Sequence, residues 1–243
     1  WTLARMAKKE KEWLLLKKAD AAAAAEELTD RYPRSVISGL TVEEIRDLPG
    51  KLASLRARLE KLKAPRADWT PRAQPFMLAT PAERPFSGGE WLFEIKYDGI
   101  RLLASRQGDS VGLYGRSGQV ITGRYPELVS ALRALPVERF LIDGEIVVLD
   151  ESGKPSFQRL QARMGLTNPH DIQRALATVP VTGIFFDCLA LDGYDLRRLP
   201  LLERKECLKL LLPPLGIVHY GDHVLEHGEA GLDRCEGMWA FAL

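Results

Sequence analysis

The sequence predicts an α+β protein with antiparallel sheets. Segments with strand-like alternation are joined by tight turns, and segments with helical spacing separate them. The 243 residues are 46% hydrophobic and 28% charged, a balance typical of a globular chain that can bury a core. The length suits one or two domains. The sequence lacks the run of roughly 18 to 20 uncharged apolar residues that a membrane span needs.

The first twenty residues alternate on both sides of a charged break. Trp1 and Leu3 precede the charged residues 8–11, and Trp13 and Leu15 follow them. This pattern predicts a β-hairpin. Because two strands alone cannot bury a core, we expect the hairpin to belong to a domain that begins upstream.

Helical segments and prolines follow the hairpin. Residues 20–31 open with an alanine run and predict a helix that Pro33 ends. Thr41 begins T-V-E-E, a capping box that predicts a short helix, and residues 52–60 continue with helical spacing. Five prolines, at 65, 71, 75, 81 and 85, then predict an extended linker.

Strand patterns dominate from Glu90 onward. Alternation and β-branched residues predict strands at 91–96, 100–106, 111–114, 140–149, 183–191 and 217–225. Helical spacing predicts helices at 125–135, 156–164 and 201–212. This mixture of hairpins and helices is the basis of the α+β prediction.

The charges are unevenly distributed, although the formal net charge of the chain is only +1. Residues 1–70 contain 15 Lys and Arg against 11 Asp and Glu, a net charge of +4. This front segment could lie against a polyanion, and a solvated helical linker is the alternative interpretation. The near balance of the whole chain, taken alone, argues against a nucleic-acid-binding protein.

Cysteine use and the N-terminal residues indicate a cytoplasmic protein. Cys188, Cys207 and Cys235 are odd in number and form no C-x-x-C pair. The sequence therefore predicts reduced thiols rather than a disulfide framework or a zinc site. Charged residues throughout the N-terminal segment leave no apolar signal core.

The clearest chemical pattern lies in residues 93–101. Strand alternation places Glu94, Lys96 and Asp98 on one face, and Gly99 permits a sharp turn. A lysine at the end of an apolar strand is costly unless it is used or paired, so Lys96 is a candidate nucleophile activated by desolvation. A row of cross-strand ion pairs is the alternative.

Two further polar groups strengthen the case for a site. Asp143 and Glu145 lie inside the apolar strand predicted at 140–149, where carboxylates need a cation, a metal ion or hydrogen-bond donors. Arg116 lies at a predicted hairpin tip and suits a phosphate or a carboxylate. Each feature alone fits a turn or an ion pair, but the three together in this order indicate a functional site.

Four short sequence motifs follow one another along the chain. They are Lys96-x-Asp98-Gly99-x-Arg101, Arg116-Ser117-Gly118, Leu141-Ile142-Asp143-Gly144-Glu145 and Ile184-Phe185-Phe186-Asp187. In this order they resemble the nucleotidyltransferase domain of ATP-dependent DNA ligases. The flanking residues 155–161 and 199–205 resemble the bacterial multidomain end-joining ligases of the ligase D type, and the resemblance covers about residues 73–235.

The resemblance implies a covalent nucleotidyltransferase (ATP-grasp-like) fold, with antiparallel sheets flanked by helices and an incomplete C-terminal end. It also implies three parts. Residues 1–20 would be the remnant of a preceding phosphoesterase-like domain, and 21–72 a helical, proline-containing linker. Residues 73–243 would be a partial adenylation domain without the oligonucleotide-binding domain, so we expect a truncated enzyme.

The implied activity is ATP-dependent DNA ligation, with roles in DNA repair and recombination by non-homologous end joining. Lys96 would attack the α-phosphorus of ATP to give lysine–AMP and pyrophosphate. AMP would then pass to a 5′-phosphate at a DNA nick, and the 3′-hydroxyl would displace it. The implied cofactors are ATP and Mg²⁺ (or Mn²⁺), and the implied partners are nicked or broken double-stranded DNA and end-joining proteins, with no membrane.

The resemblance also assigns roles to individual residues. It implies catalytic roles for Lys96 and Asp98, and nucleotide contacts from Glu94, Gly99, Arg101, Arg116, Glu145 and Phe186. Glu94 would lie beside the adenine, the two arginines would contact ribose or phosphates, and Glu145 would bond the ribose or bind the metal ion. Phe185 competes with Phe186 for stacking on the adenine, because alternation lets only one of them face the nucleotide.

The last residues depart from the family pattern, which continues with a Glu-Gly-x-x-x-Lys strand and then a Lys-x-Lys strand. Those lysines bind the α-phosphate in the family. Aligning Glu236-Gly237 with the first strand places Phe241 where a lysine belongs. The alternative, which we favour, makes 235–238 the preceding helix and 239–243 an unrelated ending. Both alignments predict weak or absent self-adenylylation.

Two other functional classes remain open. An RNA ligase or mRNA-capping type enzyme shares the Lys-x-Asp-Gly motif, and a non-catalytic DNA- or partner-binding remnant would share the fold. A histidine metal site is not predicted. His219, His223 and His227 are four residues apart, and a single strand through them would separate neighbours by about 13 Å, too far for one ion.

Overall fold

The computed structural model describes residues 2–6, 12–16, 28–35, 40–71, 74–77, 86–213, 216–229 and 238–242. The chain divides into two compact units, 1–34 and 35–243, and each is described by itself. In the described ranges, we find no helix long and apolar enough to cross a bilayer.

The first unit contains the predicted hairpin. Strands β1 (Thr2–Arg5) and β2 (Trp13–Leu16) pair antiparallel, with Thr2 opposite Leu16. The short helix α1 (Leu28–Arg31) ends before Pro33 as predicted. Residues 20–27 of the predicted helix lie outside the described residues.

The second unit begins with two helices in the segment predicted as a linker. Helix α2 (Val42–Arg46) has the predicted capping box: the Thr41 N–H donates to the Glu44 carboxylate at 2.8 Å, and the Glu44 N–H donates to the Thr41 hydroxyl at 3.2 Å. Helix α3 (Leu48–Lys61) buries Leu55 and Leu59 in the main hydrophobic core. This part of 21–72 is therefore integral to the fold rather than a solvated connection.

A six-stranded sheet forms the centre of the second unit. Its strands are β4 (Ile100–Gln107), β5 (Ser110–Gly115), β6 (Arg139–Val147), β7 (Thr182–Leu191), β8 (Tyr194–Asp195) and β9 (Val218–Tyr220). The order is β5-β4-β6-β7-β8, and β9 pairs with β7. The pairs along this path are antiparallel, as predicted, whereas β7 and β9 run parallel.

A smaller, three-stranded sheet lies in the order β10-β3-β11. Its strands are β3 (Gly88–Ile95), β10 (His223–Glu226) and β11 (Met238–Ala242). The single strand predicted at 217–225 is wrong, because the chain changes sheets at Gly221 and Asp222. The Gly221 N–H donates to the Phe185 carbonyl at 2.6 Å, and a Cβ at Gly221 would lie 3.1 Å from the Phe186 Cβ. This close approach leaves little room for a side chain at residue 221.

Four further helices belong to the described part of the second unit. They are α4 (Pro126–Arg133), α5 (Phe157–Gln161), α6 (Pro169–Thr178) and α7 (Leu201–Leu211). Three were predicted with longer bounds, and α6 was missed. Its start signal was nevertheless present: Asn168 caps the helix by accepting from the His170 N–H, and Pro169 occupies the first turn.

The core fills the space between the larger sheet and helices α3, α4, α5 and α7. It contains leucines of α3, α4 and α7 together with side chains of β4 to β7, among them Leu128, Phe140, Phe185 and Leu208. Full burial of each such side chain contributes about 1.5 to 3 kcal/mol. The larger sheet therefore supplies a rigid frame against which the smaller sheet can position a site.

Candidate active site

One cavity of about 210 Å³ is lined by side chains from both sheets. Its lining residues are Met77, Glu94, Ile95, Lys96, Tyr97, Asp98, Gly99, Arg101, Arg116, Glu145 and Phe186. All eight residues selected from the sequence as catalytic or nucleotide-binding are among them. The fold therefore brings together residues that are almost a hundred positions apart in the chain.

Lys96 lies just beyond the end of β3. The strand ends at Ile95, one residue earlier than predicted. Glu94 and Ile95 are consecutive and should face opposite sides of the strand, yet both line the cavity. The predicted alternation of faces therefore stops at the strand end. Lys96 is exposed rather than buried, so burial does not supply the desolvation expected for an activated lysine.

Gly99 lets the turn after Lys96 approach β6 closely. A Cβ on Gly99 would lie 2.2 Å from the Ile146 carbonyl oxygen and 2.8 Å from the Glu145 Cγ. Real Cβ atoms do not come so near to main-chain oxygen, so a side chain here would push the turn away. The turn thereby brings Lys96 and Asp98 to the cavity wall that carries Glu145.

Arg101 is held in a bidentate ion pair. Its Nε and Nη2 donate to the two carboxylate oxygens of Asp143 at 3.2 and 3.0 Å. The guanidinium also lies 5.2 Å from the centre of the Phe186 ring. Burial raises the pKa of Asp143 to about 6, and the Arg101 charge opposes this rise. Arg101 thus faces the cavity in a fixed orientation.

Glu145 lies opposite Arg101 in the β4–β6 register. Burial raises its pKa to about 7; the charges of Arg101 and Lys96 lower it, and those of Asp143 and Asp98 raise it. The carboxyl group is therefore close to the point at which it gains or loses a proton near neutral pH. A cation bound in the cavity would favour its ionised form.

The structure distinguishes the two candidate phenylalanines by position. Phe185 is fully buried in the core, whereas Phe186 lines the cavity. Arg116 is exposed in the turn after β5 and lines the same cavity. An aromatic face and an arginine are thus available to one ligand.

Sequence reasoning missed the role of Lys205. This residue of α7 is fully buried, and its Nζ lies 2.5 Å from the Glu94 carboxylate. Burial raises the pKa of Glu94, and the positive charge of Lys205 opposes the rise. The neighbouring Arg204 binds both carboxylate oxygens of Asp187, at 2.7 and 2.9 Å. A signal existed, since two cations occur consecutively in an otherwise leucine-rich helix.

Comparison with known proteins identifies the family. The family model for the ATP dependent DNA ligase domain matches residues 73–224. This chain belongs to that family. The probable DNA ligase of Streptomyces coelicolor is 46% identical to this chain over 152 residues. The matched residues cover 62% of this chain and 28% of the relative. The probable DNA ligase of Streptomyces avermitilis is 44% identical over 126 residues, covering 51% and 24%.

Two solved structures support the same fold for the ligase domain. A mycobacterial DNA ligase D complexed with ATP and MES matches with a TM-score of 0.59 and 27% identity, covering 72% of this chain and 56% of that one. The ligase domain from M. tuberculosis LigD matches with a TM-score of 0.58 and 26% identity, covering 72% and 55%. The chain spans about a quarter of the length of the curated relatives cited above.

Strand β11 changes the alignment of the last residues. β11 pairs with β3, placing Trp239 opposite Glu94 and Phe241 opposite Leu92. The alignment that we favoured from the sequence predicts a helix at 235–238. This prediction is wrong at Met238, which begins a strand, and residues 235–237 lie outside the described residues. A strand directly after Glu236-Gly237 is what the other alignment requires, with Phe241 at the lysine position.

His219 and His223, two of the three histidines considered for a metal site, lie on different strands. His219 is in β9 of the larger sheet and His223 in β10 of the smaller one, so the premise of a single strand is wrong. The His223 Nδ1 lies 3.0 Å from the Tyr220 hydroxyl. Among the described residues, we find no group of three or more His, Cys, Asp or Glu side chains that could hold a metal ion.

Proposed function

We propose that this chain provides the adenylyl-transfer site of an ATP-dependent DNA ligase of the bacterial multidomain end-joining type. The observation that carries the proposal is the single cavity lined by all eight residues selected from the sequence. On the same proposal, residues 1–20 derive from a phosphoesterase-like domain and 73–243 form the adenylation domain. Residues 21–72 are the helical, proline-containing linker between them, and its helix α3 packs in the main core.

Lys96 is the proposed nucleophile. Its uncharged amine attacks the α-phosphorus of ATP, so that an N–P bond forms while the bond from the α-phosphorus to the bridging oxygen breaks and pyrophosphate leaves. The amine must lose a proton in this step. Asp98 lies two residues away on the same cavity wall, and we assign it to accept that proton or to orient the amine.

The remaining side chains are assigned to nucleotide binding. The Phe186 ring offers a stacking surface for the base. Glu94 also lines the cavity, and Lys205 bonds both the Glu94 carboxylate and the Phe186 carbonyl oxygen, so the two residues are close together. Arg101 and Arg116 offer positive charge for ribose and phosphate oxygens. The absence of a side chain at Gly99 keeps the turn against β6 and so maintains the cavity.

The carboxylates fit a hard divalent cation such as Mg²⁺ or Mn²⁺. Mg²⁺ commonly binds one or two carboxylates together with substrate phosphates and water, and Glu145 and Asp98 both line the cavity. When bound, such an ion neutralises charge on the triphosphate. We assign Glu145 as its ligand.

The remaining partners and the location follow from the same proposal. The substrate would be nicked or broken double-stranded DNA, joined during DNA repair together with other end-joining proteins. The buried thiols of Cys188 and Cys207 suit a reducing cytoplasm, and burial raises the pKa of both.

Incubation with ATP labelled in the α-phosphate, in the presence of Mg²⁺, tests the proposal. We expect weak covalent labelling that is lost in Lys96→Ala and retained in Lys209→Ala, which removes an exposed lysine of α7. Unlabelled ATP should compete, and GTP should not; competition by GTP would favour a capping-type enzyme. If the chain neither takes up label nor binds ATP, the proposal is wrong.

A second variant tests why the labelling is expected to be weak. In the family pattern, a lysine occupies the position of Phe241, on the strand paired with β3. A cation at this position would bind the α-phosphate, so Phe241→Lys should raise the labelling rate by about tenfold or more. Phe241→Leu is the matched control and should leave the rate at the wild-type level. Equal rates in all three chains would contradict the alignment.

A further inference from the structure

Lys205 connects three segments of the chain at the wall of the cavity. Its Nζ lies 2.5 Å from the Glu94 carboxylate, and it donates to the carbonyl oxygens of Phe186 at 2.9 Å and Gly221 at 3.5 Å. An ammonium group has three protons, and these three acceptors account for them. The side chain is fully buried, so water does not compete for these bonds.

The three acceptors belong to different parts of the fold. Glu94 is in β3 of the smaller sheet, and Phe186 is in β7 of the larger sheet. Gly221 lies where the chain passes from the larger to the smaller sheet. Lys205 therefore links the two sheets. The residues that it joins, Glu94 and Phe186, both line the cavity where the base is proposed to bind.

The neighbouring cation provides a structural contrast. Arg204 binds Asp187 and the Leu199 carbonyl oxygen, and neither of these residues is among those that line the cavity. Arg204 therefore stabilises the packing of α7 on β7. Lys205, one residue further on, fixes two groups that a ligand can contact.

We propose that Lys205 is a positioning residue that makes the site select adenine over guanine. It holds the Glu94 carboxylate and the Phe186 main chain at a fixed separation. A purine stacked on the Phe186 ring then presents its edge to a hydrogen-bond acceptor. An acceptor pairs with the 6-amino group of adenine and repels the 6-oxo group of guanine. This inference rests on the proposed function, because it concerns the base of the nucleotide that Lys96 uses.

Equilibrium binding of ATP and GTP in the presence of Mg²⁺, measured by calorimetry, tests the inference without requiring catalysis. We expect Lys205→Met to weaken ATP binding at least tenfold and to leave GTP binding nearly unchanged, since a charge-assisted hydrogen bond to the base is lost. Lys209→Met is the matched control. Lys209 is exposed on the same helix, 5.8 Å from the Tyr220 ring that Lys205 faces at 5.3 Å.

A double variant separates positioning from folding. Lys205→Met leaves the Glu94 carboxylate buried without its cation and can prevent folding. Lys205→Met combined with Glu94→Gln removes both charges and keeps the shapes. If Lys205 acts through Glu94, the ratio of the ATP and GTP dissociation constants in the double variant equals the ratio in Glu94→Gln alone.

The outcomes separate this inference from the proposed function. A wild-type ratio in folded Lys205→Met, or a double variant whose ratio differs from that of Glu94→Gln, overturns the role of Lys205 while ATP binding by the wild type still supports the proposed function. If the wild-type chain binds neither nucleotide, the proposed function fails and the role of Lys205 fails with it. A purely structural lysine would lower the unfolding midpoint without changing the ratio.

Discussion

The two sheets of the ligase domain are stabilised in different ways. The six-stranded sheet packs against a continuous core, and the buried Arg204–Asp187 pair lies between it and α7. The three-stranded sheet leaves Ile95, Val224 and Leu225 exposed. Its Glu94 pairs with Lys205 of α7, which also donates to the Phe186 carbonyl oxygen in the larger sheet.

This difference separates stability from site geometry. The larger sheet carries Arg101, Glu145 and Phe186, whose positions are fixed by the core beneath them. The smaller sheet carries Glu94 and leads directly into Lys96. Changes within the larger sheet should therefore mainly destabilise the fold, whereas changes at the junction of the sheets should also alter ligand binding.

Within the larger sheet and the helix packed on it, the largest loss of stability is expected from Arg204→Met. The change leaves the Asp187 carboxylate buried without its cation, which costs about 3 to 5 kcal/mol in the free energy of unfolding. Urea denaturation measures this loss. Arg174→Met is the control, because Arg174 pairs with Asp171 at the surface and should contribute less than about 1 kcal/mol. Equal stability of the two variants would show that the buried pair does not hold α7 on the larger sheet.

A smaller change in stability is expected when the pH is raised through the pKa of Asp143. Its pKa is about 6 in the folded chain against an ordinary value of 3.8. Between these values the folded state keeps a proton that the unfolded state has released, so raising the pH favours unfolding. From pH 4 to pH 7 the wild type should lose about 2 to 3 kcal/mol relative to Asp143→Asn. Urea denaturation across this range compares the two chains, and parallel pH profiles would contradict the assignment.

A loss of stability of similar or smaller size, together with a large loss of ligand binding, is expected from Gly99→Ala. The new Cβ displaces the turn from Ile146, at a cost of about 1 to 3 kcal/mol, and moves Lys96 and Asp98 away from Glu145. Calorimetry should show ATP binding weakened at least tenfold. Gly89→Ala is the matched control, because a Cβ at Gly89 would have open space within 4 Å. Wild-type ATP affinity in Gly99→Ala would show that the turn tolerates displacement.

The parts of the site that could be predicted depend on local patterns. Lys96, Asp98 and Gly99 lie in one turn, and the hairpin from β4 to β5 follows directly. Because these residues are close in sequence, their proximity could be predicted from a short stretch of the chain. The resemblance then related this stretch to Glu145 and Phe186. The order of these motifs along the chain was sufficient because the intervening strands pair antiparallel as neighbours.

The remaining features depend on contacts distant in sequence. The Lys205–Glu94 pair joins residues that are separated by most of the domain, and helical spacing alone does not show which partner a buried cation takes. The break at Gly221 was missed because the residues on both sides have strand-forming sequences. Only the packing of two different sheets requires the chain to leave one and enter the other.

The arrangement of β3 has a consequence for how the chain acquires its structure during synthesis. The ribosome produces β4, β5 and β6 in succession, and these strands can pair soon after they emerge. The partners of β3 are β10 and β11, which emerge more than a hundred residues after it. Closing a loop of this length is slow compared with forming a hairpin. The strand that leads into Lys96 is therefore among the first to be synthesised in the domain and among the last to be paired.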